Sequence, residues 1–390
     1  MTVYLDHAAS APVRPEAAAA HTDALAHVGN PASVHAAGRE VRARLEGARE
    51  RLAAALDAHP TEVVFTAGGT EAVNLAIKGL AWRGLAAGRH RVLGTRAEHA
   101  ASLDTLEWLD GRGHGGRTIQ VEYAEVDETA RVRLAALIER IIAGGPRDVA
   151  LVSLLWAQNE LGSIERVDAI ADRLAELGVP LHWDAVAAVG KVPVRFRETG
   201  ATALSLSGHK LGAPIGTGAL LVRRGHEPEA LLHGGAQQPG RSGTVDVAGA
   251  AALAVAVELA VAELEAESAR LRELGERLRA GILAADPSAR LSGPSARSER
   301  LPGHVHVTFP GLVGETLLFV LDQAGFSVSV GSACRAGVNA PSEVLLAAGR
   351  DPAAARSGLR VTLGRTSTDD EVTAFLAALP GALELARAAS

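Results

Sequence analysis

The chain has a single cysteine, Cys334. No intrachain disulfide can form, and 390 residues without a bridge fit a reducing compartment. Nor is there an excess of base. Thirty-nine Lys+Arg stand against 45 Asp+Glu, a net charge of −6, which gives a nucleic-acid or anionic-membrane partner no support. The opening MTVYLDHAAS carries Asp6 and lacks both the basic start and the apolar stretch of a secretory leader. The least polar run, Ala248 to Val257, stops at Glu258, well short of the ~20 residues needed to cross a bilayer. There is no fixed-period repeat, low-complexity linker, zinc-ligand spacing or Walker lysine. The expectation is a soluble cytoplasmic protein with no metal, nucleic acid or membrane partner.

What is present is ordinary globular composition, 47% hydrophobic and 22% charged, over a length that suggests about two or three domains. Apolar spacing predicts a helix from Val34 to Leu56, after which strands and helices alternate. Strands are expected at 62–65, 91–94, 149–155, 181–184, 203–207 and 218–222, with an extended piece at 118–121. Helices are expected at 71–86, 102–109, 134–142 and 167–177. Such alternation predicts an α/β architecture, a mainly parallel sheet covered by helices on both faces. From Asp246 to Leu283 the pattern reads as one long helix with a stripe of Leu264, Leu271, Leu274, Leu278 and Ile282. Beyond it, strands at 304–309, 327–330 and 359–363 between helices predict a smaller α+β domain. The division expected is 1–260 and 261–390, with the segment through Val13 a candidate for packing on the smaller domain.

Three segments carry chemistry together. Thr66-Ala67-Gly68-Gly69-Thr70-Glu71 follows a strand and opens a helix, where unpaired N–H groups and the dipole favour a phosphate; alone it is more often a capped turn. His182-Trp183-Asp184 ends a strand in a carboxylate, and strand ends of such sheets face the ligand crevice. Ser205-Leu206-Ser207-Gly208-His209-Lys210 ends another strand with a lysine among small residues. Separately, the aspartate is a cap and the lysine a surface charge. As a set, they are what pyridoxal 5′-phosphate requires: a phosphate cradle, an amine for its aldehyde and a carboxylate for its ring nitrogen.

The sequence resembles cysteine desulfurases of the NifS/IscS kind, within the class V aminotransferase family and pyridoxal-phosphate fold type I. The match runs through YLDHAASAP, GNPAS (29–33), FTAGGTE (65–71), Glu98-His99 and QNELG (158–162). It continues through HWDAVAAVGK (182–191), SGHK (207–210), HGG (233–235), RSGT (241–244), GSAC (331–334) and LRVTLGR (359–365). The resemblance implies that Lys210 is the Schiff-base lysine, Asp184 the partner of the pyridine nitrogen and His99 the ring-stacking imidazole and acid/base. Gly69, Thr70, Ser207 and His209 match the phosphate site, Thr244 a phosphate contact to the neighbouring subunit of a homodimer, and Arg360 the holder of the substrate carboxylate. Asn159 matches a residue near substrate and cofactor. Read singly, His99 would be a core or capping histidine, Arg360 a structural ion-pair partner and Asn159 a turn residue.

Cys334 would by itself be a small buried hydrophobe. Its setting between Gly331-Ser332-Ala333 and Arg335-Ala336-Gly337 suits a loop, with Arg335 favouring thiolate. The resemblance implies conversion of L-cysteine to L-alanine, with sulfur held as a persulfide on Cys334. An acceptor protein would then receive it for iron–sulfur cluster or other thio-compound biosynthesis. Ala187 departs from the family, which usually has a glutamine there that donates to the cofactor. The segment from HGG to RSGT is one residue shorter than usual. Alternatives are a related class V enzyme (a selenocysteine or cystine C–S lyase, or an aminotransferase) and a non-catalytic scaffold of the same fold.

Overall fold

The computed structural model describes residues 2–114, 116–331 and 341–389. Its central sheet has seven strands in the spatial order Val63–Thr66, Gly218–Val222, Ala203–Ser207, Leu181–Asp184, Val149–Leu155, Arg91–Thr95, Gln120–Ala124. Only Gly218–Val222 runs antiparallel to its neighbours; the remaining strands are mutually parallel. These strands are near-continuous apolar runs because both faces are covered. One face packs against Gly69–Ala86 and Ala100–Leu109, with Leu75, Ile77, Leu80 and Leu106 buried. The other packs against Ala36–Ala55, Leu134–Ala143, Val167–Glu176 and Val247–Ala262 around Leu52, Ile141, Leu174 and Trp183.

The long helix expected over 246–283 is two helices, Val247–Ala262 and Leu264–Ala285, bent by 69°. Composition explains the break. The first half is apolar all round and lies within the core of the large sheet, whereas the second is amphipathic and must turn its Leu271, Leu274, Leu278, Ile282 stripe to a second core. Glu263, at the bend, takes both terminal amino groups of Arg14 at 3.0 and 2.7 Å. The second core also holds Leu5, Val305, Val307, Leu359, Val361 and Phe375. It is built on the antiparallel strands Arg290–Leu291, His304–Thr308 and Gly358–Thr362 with helices Gly314–Gln323 and Asp369–Ala389. The extended piece read at 118–121 splits, Arg117–Thr118 pairing with Gly113–His114 and Gln120–Ala124 joining the large sheet. The strand read at 327–330 is Phe326–Ser327 followed by a single bridge from Ser329 to Arg360.

The amino terminus joins the second core. Val3–Tyr4 pairs in parallel with Phe326–Ser327, and Asp6 bridges to Thr362. This strand carries residues 8 and 9 to the carboxyl edge of the large sheet.

Candidate active site

The carboxyl ends of the parallel strands converge on one cavity of about 390 Å³. This is where an open α/β sheet presents its loops to a ligand. Gly69 and Thr70 enter it from the turn after Val63–Thr66, and His99 from the turn after Arg91–Thr95. Asn159 follows Val149–Leu155, Asp184 ends its strand, and Ser207, His209 and Lys210 follow Ala203–Ser207. Arg360 comes from the second core's sheet and closes the opposite wall. Thr244 is not among them. It is exposed and lines a separate depression with Thr66, Ala67, Gly216, Arg241 and Asp246. Cys334 lies outside the described residues.

The segment expected to cradle a phosphate is a helix start without a side-chain cap. Gly68, the N-cap, sits at φ 144°, a conformation open essentially to glycine alone, and no side chain bonds the first turn's N–H groups. A Cβ on Gly69 would stand 2.9 Å from Val186 Cγ2 and 3.1 Å from Ser207 Cβ. The backbone is therefore pressed against the cavity floor, where N–H groups can meet an anion directly.

The Lys210 amine donates to the carbonyl of Ala8 and, at 3.0 Å, to that of Ala9. His99 accepts the Ala101 N–H on Nδ1 at 3.1 Å, and burial, then the Lys210 charge, lower its pKa to about 4. At neutral pH the ring is uncharged, and with Nδ1 accepting, the hydrogen is on Nε2. Asp184, 2% exposed, accepts the Val186 N–H at 3.1 Å. Burial raises its pKa to about 6 despite that bond and the nearby Lys210.

Arg360, 4% exposed, is held at both ends, donating to the Asn159 carbonyl at 3.0 Å and to Asp6 Oδ1 at 2.7 Å. Its Nε and the Asn159 Oδ1 are buried without a hydrogen-bond partner. Orphaned buried polar atoms on a cavity wall call for a polar ligand. The donor set therefore fits pyridoxal phosphate: an anion cradle, an amine, a buried carboxylate awaiting a cation, and spare polar atoms for an amino-acid substrate. Ala187 lines the cavity and offers no side-chain donor there.

Sequence reasoning missed five contributors. Asp6 anchors Arg360, the Ala8 and Ala9 carbonyls hold Lys210, His304 lines the wall, and Lys191 reaches the same cavity. Lys191 has its pKa lowered to about 8 by burial and by Lys210 and Arg360. Asp6 and Lys191 lay inside the motifs YLDHAASAP and HWDAVAAVGK, and that was the only signal for them. Among the described residues no group of three or more His, Cys, Asp and Glu is arranged to hold a metal ion.

The model of the class-V aminotransferase family matches residues 3–375. The chain belongs to that family. Within it, this class-V protein is similar to an IscS-like cysteine desulfurase of Mycobacterium tuberculosis (strain ATCC 25618 / H37Rv). The two are 45% identical over 390 residues, 99% of this chain and 98% of that one. A solved NifS-like protein superposes with TM-score 0.89 at 31% identity, over 98% of this chain and 100% of its own. A solved structure of SspA in complex with cysteine gives TM-score 0.78 at 30% identity, over 93% and 99%. The class-V chain is thus of the NifS/IscS type, and its fold is the type I fold of pyridoxal-phosphate enzymes.

The buried charge of Asp184 has a measurable cost. A carboxyl whose folded pKa lies above its unfolded value, about 3.9, penalises the folded state. The penalty is absent below pH 4, grows as pH rises to about 6, and is fully present above. The neutral Asp184→Asn chain, free of cofactor, should therefore resist urea at pH 7.5 by about 2–3 kcal/mol more than wild type, and no more than wild type at pH 4. Equal stabilities at pH 7.5 would contradict this.

Proposed function

We propose that this chain is a pyridoxal-phosphate-dependent cysteine desulfurase. It converts L-cysteine to L-alanine and carries the sulfur as a persulfide on Cys334, for an acceptor protein of iron–sulfur cluster or other thio-compound biosynthesis. The observation that carries the reading is the single cavity in which Lys210, Asp184, His99 and Arg360 meet an uncapped helix start. The family names of the relatives and the cysteine in the SspA structure support the same substrate.

When bound, pyridoxal phosphate supplies a ring that accepts electrons from the α carbon of an amino acid. Lys210 would hold its aldehyde carbon, Asp184 its ring nitrogen, and the N–H groups at Gly69 and Thr70 with Ser207 and His209 its phosphate. Paired with a pyridinium, Asp184 gains the cation that its burial lacks and stays ionised. Arg360 would take the cysteine carboxylate with its unpartnered Nε, while Asp6 keeps the guanidinium from swinging away. With the Ala101 N–H on Nδ1, His99 would act through Nε2 as a donor, and the Lys210 amine would be the base that takes the α proton. Cys334 would attack the substrate sulfur as a thiolate, the S–S bond forming as the C–S bond breaks, with the electron pair left on the β carbon taking up a proton to give the methyl group of alanine.

Thr244 sits on the surface outside the cavity, the placement expected of a residue that serves a second copy's site. A homodimer with shared sites, in the cytoplasm, is part of the proposal. The test is to incubate purified protein with L-cysteine, quantify alanine and sulfide, and map any persulfide by mass spectrometry. Alanine with a persulfide on Cys334 is expected; pyruvate and ammonia, or no product, would refute it.

A further inference from the structure

The turn after Val149–Leu155 carries a glutamate that the proposed chemistry does not use. Glu160 is 7% exposed and does not line the cavity, yet residues from the second core converge on it. Its backbone carbonyl accepts His304 Nε2 at 2.7 Å, and the carbonyl of its neighbour Asn159 accepts Arg360. Its carboxylate meets two more residues. Ser342 Oγ donates to Oε2 at 2.6 Å, and a Cβ on Gly331 would stand 3.1 Å from the same oxygen.

Both of those residues are fixed in their own right. Gly331 lines the cavity, and its N–H donates to Ser329 Oγ at 3.1 Å. Its φ of 90° and the closeness of Oε2 suit a residue without a side chain. Ser342 donates its N–H to the Ala355 carbonyl, and its hydroxyl oxygen accepts the Leu345 N–H as the cap of helix Glu343–Ala347. One buried oxygen thus lies between residue 331 and residue 342, and the sequence between them holds Cys334. Cys334 is three positions after Gly331, and three residues of chain span at most about 11 Å. Whatever seats Gly331 therefore sets the tether on which the thiol works.

We propose that Glu160 is a positioning residue whose carboxylate fixes the chain on both sides of Cys334, packing on Gly331 and bonding Ser342, beside the wall that holds Arg360. Burial raises the carboxyl's pKa, while the Ser342 hydroxyl and the Arg360 charge oppose the rise. A buried pair of this kind has no water to replace a lost partner, so breaking it leaves the survivor unsatisfied. The inference rests on the function proposed above for its purpose, the delivery of a thiol to the substrate sulfur.

The test uses the full-length protein loaded with pyridoxal phosphate. Glu160→Ala should keep the cofactor's absorbance and its change on titrating cysteine, with KM for cysteine within about twofold of wild type. Its kcat for alanine, and the single-turnover rate of persulfide formation on Cys334, should fall by about tenfold. Glu160→Gln keeps an acceptor oxygen for Ser342 and should recover most of the rate. Because the two side chains form one bond, Glu160→Ala combined with Ser342→Ala should be no slower than the slower single variant. Amide exchange over residues 342–348 should quicken by about tenfold in Glu160→Ala while that over 149–155 stays as in wild type.

A raised KM with unchanged kcat would overturn the proposal, since Glu160 would then act only on the Arg360 hold of the substrate. So would equal losses in the Ala and Gln variants, losses that add in the double variant, or exchange over 342–348 unmoved in Glu160→Ala. If Glu160→Ala does not fold, Ser342→Ala against Ser342→Thr, which keeps the hydroxyl, decides by the same readouts. Quickened exchange over 342–348, in a protein whose wild type makes no alanine from cysteine, would refute the proposed function and support the tie.

Discussion

Replacing Lys210 by alanine is expected to abolish turnover of L-cysteine, by roughly 10³-fold or more, as removal of a covalent anchor and its base does elsewhere. The same change should remove the visible absorbance that purified wild type acquires with pyridoxal phosphate, and the adduct at residue 210 that borohydride reduction would fix. The argument is positional. The amine is the covalent donor proposed above and is held by two backbone carbonyls, Ala8 and Ala9, in the cavity that Gly69 and Thr70 also line. Alanine fills neither role. Lys191 lines the same cavity but comes from the turn after Leu181–Asp184, so adding back an amine there would not restore the geometry. A Lys210→Ala protein that still formed a reducible adduct and released alanine at the wild-type rate would contradict the reading.

The second large effect is chemical and separable from the first. Cys334→Ala is expected to keep the absorbance of bound pyridoxal phosphate, and its shift on adding cysteine, yet form no alanine above the uncatalysed level. Because Cys334 is the chain's only cysteine, no other thiol of the chain can accept the sulfur. Cys334→Ser keeps the volume and the hydrogen-bonding capacity but not the nucleophile, and should behave like Cys334→Ala. The two variants thus divide the reaction into capture of the amino acid, which needs Lys210, and removal of its sulfur, which needs Cys334. Alanine production at wild-type rate in either Cys334 variant would sink the persulfide step.

The parts legible in the sequence share a physical reason. Strands such as Val149–Leu155 and Ala203–Ser207 are buried on both faces, so their apolar runs stand out, and the residues that follow them inherit a place at the sheet's carboxyl edge. Thr70, Asp184 and Lys210 could thus be placed on one edge before any coordinates. What was illegible depends on register and on side chains meeting across long sequence gaps. Nothing local in YLDHAASAP says that Asp6 grips Arg360, 354 residues away. The contacts of buried His182 with Ser153 on one neighbouring strand and Ser205 on the other need two strand pairings aligned to the residue. The break at Glu263 was hidden because helical spacing continues through it; only the two halves' differing amphipathicity separates them.

The amino-terminal strand has a consequence for biosynthesis. The carbonyls that grip Lys210 belong to residues 8 and 9, and that segment is fixed by Phe326–Ser327 and Thr362. During synthesis residues 3–6 are made well before Phe326–Ser327 and Thr362, the residues they pair with. The strands of the large sheet, which end at Val222, are made before those partners, so the sheet can form ahead of the pairing that brings the Ala8 and Ala9 carbonyls to Lys210. The lysine is thus seated on those carbonyls only once the second core has formed.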